Sequence, residues 1–150
     1  PWTKDKGTLL VLQEVVMKAL FENWRGYMTE AKDSENVSKA VIIKEDGALL
    51  LLRSTGQKFP GKWDLPGGHI HIGEDPKDGL IREVREETGV TLSEPIEKLY
   101  EEDNITFYRA QMPEQKITLS HEHDEHKFVT KDSVPKNISG KFRRAIKKAL

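Results

Sequence analysis

The chain has 150 residues, enough for one domain with a substantial core, and its 24 basic and 25 acidic residues leave a formal net charge of −1. So even a balance gives no bulk attraction to nucleic acid or to a membrane surface, and the absence of cysteine excludes disulfides and thiolate metal sites. No apolar run approaches membrane-spanning length, and Thr8–Leu12 lacks the flanks of a signal peptide, so the expectation is a cytoplasmic protein without a targeting segment.

Residues from about Lys6 to Ala31 read as one long helix. Glu14, Lys18, Glu22 and Arg25 form a narrow polar stripe of opposite charges spaced i,i+4, while Leu9, Leu12, Val16, Leu20, Trp24 and Tyr27 lie on the other side. An apolar arc that broad has two readings, packing against the body of the same chain or a homodimer interface. Lys32–Ser38 is polar and reads as a connector, which makes residues 1–36 a helical extension and 37–150 the main domain.

Val37–Lys44 and Ala48–Arg53 flank Glu45-Asp46-Gly47, a hairpin signal. Ser54–Lys62 reads as loop, Trp63–Leu65 as a short strand, and Pro66-Gly67-Gly68 as its breaker. The next helix is bounded by Asp75 as N-cap, Pro76 at its first position and Gly89 as C-terminal stop. On it Leu80, Ile81, Val84 and Thr88 share one face, whereas Glu83, Glu86 and Glu87 crowd together on another. Three like charges so close destabilise an isolated helix, a cost that a divalent cation removes. Ile96–Glu101, Ile105–Ala110, Lys116–Ser120 and Lys127–Thr130 read as strands, and His121–His126 as a charged loop. Phe142, Ala145, Ile146, Ala149 and Leu150 mark a final amphipathic helix. Its other face carries Lys141, Arg143, Arg144, Lys147 and Lys148, a solvated face by default and an RNA-binding one as the minority reading. The pattern as a whole is α+β.

From Gly68 the chain runs through Glu74 to Arg82-Glu83-Val84-Arg85-Glu86-Glu87-Thr88-Gly89-Val90. This spacing resembles the signature box of the Nudix hydrolase family, with every fixed position met. The resemblance implies a mixed β-sheet sandwiched between helices (α/β/α), to which the N-terminal helix is an addition. It implies Mg²⁺ or Mn²⁺ as cofactor and a pyrophosphohydrolase that cleaves the diphosphate linkage of a nucleoside diphosphate derivative or nucleoside triphosphate. Glu83, Glu86 and Glu87 would be the principal metal ligands, with Glu74 and Gly68 supporting, and Arg82 would orient a glutamate of the box. Such a cation suits the chemistry, because hard divalent ions take carboxylate oxygens.

Other candidates lie around the box. Gly67 and Gly68 bring the backbone close to the acidic cluster. Arg53 stands at a strand end within reach of a phosphate, and Trp63 is either packing or a base-stacking residue. In many members of the family a glutamate of the loop equivalent to His121–His126 binds metal or acts as general base, a role that falls here to Glu122 or Glu125. The three histidines of that loop match no common zinc spacing. The general base stays open between Glu83, Glu86 and this loop. Two alternatives accompany the enzyme reading: a non-catalytic nucleotide-sensing domain, and a pyrophosphohydrolase acting on RNA 5′ ends.

Overall fold

The computed structural model describes residues 12–18, 20 and 33–150. Contacts divide the chain into two units, residues 1–33 and 34–150. In the first, residues 12–18 and 20 are helical, and Leu12, Val15, Val16, Met17 and Leu20 are all more than half exposed. The rest of the helix expected over Lys6–Ala31 lies outside the described residues.

The second unit is built on seven strands: β1 (Asp33–Lys44), β2 (Gly47–Arg53), β3 (Trp63–Asp64), β4 (Gly67–His71), β5 (Ile96–Glu102), β6 (Ile105–Gln111) and β7 (His123–Val129). Helix α1 (Pro76–Thr88) follows β4, and helix α2 (Gly140–Ala149) closes the chain. One mixed sheet runs β3-β2-β1-β6-β5, with β4 paired to β1 and β7 to β2. β1 is parallel to β6, while the β1–β2 and β5–β6 pairs are antiparallel.

Because strand side chains alternate, β1 and β2 must be apolar on both faces to be covered on both. Ala40, Ile42, Leu49 and Leu51 join Leu80 and Val84 of α1 in one core cluster. Val41, Ile43, Ala48 and Leu50 join Ala145, Ile146 and Ala149 of α2 in the other. The resulting three-layer α/β/α arrangement is the expected one.

Four local expectations are corrected. The polar connector before Val37 is already strand from Asp33, because β1 also pairs with β4, and a bond from the Ser34 hydroxyl to the Ile70 carbonyl of β4 at 2.7 Å overrides its composition. Gly67-Gly68 does not break the chain out of the sheet but begins β4. Lys116–Ser120 forms no strand; Thr118 and Ser120 donate their N–H groups to the Thr88 and Glu87 carbonyls, so the segment lies along the end of α1. The charged His121–His126 stretch is largely β7, pairing with β2 through Leu51 opposite His126 and Leu52 opposite Glu125. At its start the register slips, with Arg53 opposite His123, and Asp124 is the extra, bulged residue.

Candidate functional site

Helix α1 begins as its sequence demands. The Asp75 carboxylate accepts from the N–H groups of Lys77 and Asp78, and Gly89 closes the helix in the left-handed conformation (φ 72°) with its N–H on the Arg85 carbonyl. Arg82 projects from this helix into a group of acids. Its Nε and Nη2 hold the two oxygens of Glu74 at 2.9 and 3.1 Å, and Nη1 reaches Glu83 at 3.0 Å and both oxygens of Glu86 at 3.3 Å. Nη2 also donates to the His69 carbonyl at 3.1 Å, tying α1 to β4. The planar guanidinium thus fixes three carboxylates at once. The Arg82 bonds hold the Glu74 carboxyl below its ordinary range.

The glycines explain how the acids come so close to the sheet. A Cβ on Gly68 would lie 2.7 Å from Glu83 Oε2, so this position has room only for the carboxylate. A Cβ on Gly67 would stand 2.1 Å from the Ser38 carbonyl oxygen, and its φ of 127° favours glycine independently. The Gly67 N–H donates to Glu87 Oε1 at 3.2 Å. Glu87 is buried, and its second oxygen, Oε2, has no hydrogen-bond partner. Burial raises the Glu83 carboxyl above its ordinary range, and it raises Glu87 well above.

Behind Glu87 lies a polar network that sequence reasoning missed. Lys39, in the middle of apolar β1, is buried, and its Nζ donates to Asp64 Oδ1 and to the Leu65 and Gly67 carbonyls at 2.9–3.0 Å. Asp64 Oδ2 accepts from Arg53 Nη1 at 2.9 Å. The buried ring of His123 stands between two acids, with Nε2 3.5 Å from Asp64 Oδ2 and Nδ1 3.8 Å from Glu87 Oε2. Burial alone would raise Asp64, but Lys39, His123 and Arg53 together bring it down to about 2. A lysine inside the run Val37–Ile43 was the available signal, since an unpaired lysine is almost never buried.

The remaining candidates fall in different places. Arg53 is engaged by Asp64 and by the Lys58 carbonyl, to which its Nε donates. Trp63 packs against the α2-side core with Lys127 Nζ 4.2 Å from its ring centroid. Glu122 is exposed just before β7; its carbonyl accepts from the Ser54 N–H at 3.0 Å, and its charge helps to raise Glu87. Glu125 is exposed within β7, opposite Leu52. A cleft of about 410 Å³ opens beside Glu74, lined among others by Ser38, His71, Asp103, Asn104 and Thr106.

A hard divalent cation fits these residues. Glu87 Oε2 is an orphaned buried acceptor, the donors are all oxygens, and Glu83, Glu86 and Glu87 place three carboxylates along one helix. Among the described residues no three acids or histidines already converge on one point; Arg82 holds Glu83 and Glu86.

Comparison with known proteins places the fold. The NUDIX domain model matches residues 34–149. Over 70 residues, 43% of this chain and 44% of the other, the sequence is 40% identical to a MutT-like protein of Streptomyces ambofaciens. Over 78 residues, 52% of this chain and 43% of the other, it is 31% identical to an ADP-ribose pyrophosphatase of Methanocaldococcus jannaschii. The chain thus spans less than half the length of these curated relatives. Among solved structures, a MutT protein from Methanosarcina mazei Go1 superposes with a TM-score of 0.62 at 30% identity, covering 77% of this chain and 94% of that one. A C. elegans Ap4A hydrolase superposes with a TM-score of 0.61 at 26% identity, covering 75% and 93%.

Proposed function

The chain belongs to the NUDIX domain family, and on that premise we propose that it is a divalent-metal-dependent hydrolase of a diphosphate linkage in a nucleoside triphosphate or nucleoside diphosphate derivative. The observation that carries this reading is the buried, unpartnered oxygen of Glu87 beside the Arg82-held acids on the same helix. Glu83, Glu86 and Glu87 would hold Mg²⁺ or Mn²⁺, with Glu74 and the backbone at Gly68 in support. Such a cation neutralises phosphate charge and acidifies a water molecule for attack on phosphorus.

The chain's own residues supply the rest. Arg82 keeps Glu83 and Glu86 from swinging apart, and it does so without touching the substrate. Glu122, exposed and close enough to influence Glu87, takes the proton of the attacking water; Glu125, across from Leu52, is the second candidate. As the new P–O bond forms, the bridging P–O bond breaks and a phosphate group leaves. The cleft beside Glu74 has the volume of a small-molecule site and is the candidate place for the nucleoside portion.

The names of the relatives define the test panel: nucleoside triphosphates, ADP-ribose and diadenosine tetraphosphate, to which a short 5′-triphosphate RNA is added. Turnover of at least one compound in Mg²⁺, abolished by chelator, is expected. No turnover of any, together with tight binding of one, would make the domain a nucleotide sensor instead.

A further inference from the structure

Glu87 is supported from two sides, and only one support is a conventional bond. On one side the Gly67 N–H reaches Oε1 at 3.2 Å. On the other stands the His123 ring, with Nδ1 toward Glu87 Oε2 and Nε2 toward Asp64 Oδ2. The side chains of His123, Asp64 and Glu87 are each no more than 5% exposed. Neither ring nitrogen makes a hydrogen bond by ordinary geometry. A buried imidazole carries at least one N–H donor, and its neighbours here are two carboxylate oxygens. Asp64 in turn is fixed by Lys39 and Arg53, and Lys39 also binds the carbonyl of Gly67, whose N–H holds Glu87. Both supports of Glu87 therefore share one buried anchor.

We propose that His123 is a positioning residue, set by the Lys39–Asp64 pair, whose Nδ1 edge fixes the carboxylate of Glu87 for divalent-cation binding. The inference rests on the proposed function of the α1 acids but concerns a residue outside the signature box. The bulge at Asp124 is the structural device that makes it work, since it turns His123 inward while Asp124 and Glu125 remain exposed. Outer residues that orient a metal ligand contribute substantially to affinity, by about 10–100-fold.

Two variants separate this role from simple packing. In His123→Asn the amide lies where Nδ1 was and keeps the Glu87 side of the contact. In His123→Gln it lies where Nε2 was and keeps only the Asp64 side. Mn²⁺ binding, read by the loss of the free-ion paramagnetic resonance signal without nucleotide, is expected to stay within about threefold of wild type for Asn and to weaken about tenfold for Gln. With substrate, Gln should lower kcat while the nucleotide KM stays nearly constant. Equal Mn²⁺ affinity in the two variants, or tighter binding by Gln, would overturn the positioning role while leaving the metal site intact. Wild-type protein that binds no Mn²⁺ would overturn both that role and the proposed function. Mn²⁺ binding without turnover of any nucleotide would overturn the function alone.

Discussion

Helices α1 and α2 cover opposite faces of one sheet, and each carries a cluster of like charges, yet the two clusters are handled in opposite ways. On α2 the cations turn to partners at the rim: Lys141 to Asp103, Arg144 to Glu102, Arg143 to the Pro135 carbonyl and Lys148 over the Tyr100 ring. On α1 two acids point inward. Glu83 is largely buried against Gly68, and Glu87 is buried with one oxygen unpaired. Density of charge therefore says little about a site; charge taken out of water without a matching partner says much more.

The contrast breaks most severely at the anchor beneath α1. Lys39→Met leaves Asp64 buried with only Arg53 and the His123 ring beside it among the described residues, and removing one partner of a buried ion pair costs up to about 3–5 kcal/mol. A urea titration should show that loss as a lower unfolding midpoint. An unchanged midpoint would mean that Lys39 is not what neutralises Asp64.

How much of this was legible in the chain follows the range of the contacts. The caps of α1, its apolar face and its three glutamates are all local, so spacing alone reveals them. The Lys39–Asp64–His123 network is not, because its members lie 25 or more residues apart and meet only through strand pairing. The start of strand β7 is hidden for a related reason, whereas its end falls within the strand expected from Lys127. Three consecutive charged or histidine residues, Asp124–His126, read as solvated loop, and only pairing with β2 makes them strand. The glycines were legible as turn formers, but not as sites where Ser38 and Glu83 occupy the space of a side chain.

At the acidic face itself, Glu86→Gln should lower kcat by about a hundredfold, the upper end of what even outer-ligand losses cost. Its folding should be intact or slightly improved, because a like-charge neighbour of Glu83 is removed. Activity near wild type would remove Glu86 from the metal set.

A smaller effect concerns pH. An ordinary glutamate titrates near 4.5, and burial raises Glu87 well above that, so the unfolded chain gives up this proton first as pH rises. The stability it confers is fully present below pH 4.5 and is lost as pH climbs through the raised value. Glu83 acts in the same direction, whereas Asp64, with a folded value near 2 and an ordinary one of 3.8, contributes above this range and loses its effect only in stronger acid. In chelator, the urea midpoint should therefore fall as pH rises above 4.5, and Glu87→Gln should flatten that fall. A steep fall retained in the variant would assign it elsewhere.

The smallest effect belongs to α2. Arg144→Gln removes an exposed pair with Glu102, and such pairs contribute little. Activity and melting temperature should both stay at wild-type values. A marked loss of activity on 5′-triphosphate RNA alone would give the basic face a role in binding substrate.

Acids of α1 arranged for a cation make the folded protein respond to that cation, and the melting temperature tests this directly. A ligand that binds only the folded state stabilises it by mass action. Wild-type protein should melt higher in Mg²⁺ than in chelator at neutral pH, and Glu86→Gln should lose that difference. An equal Mg²⁺ shift in wild type and variant would contradict the assignment of the cation to this helix.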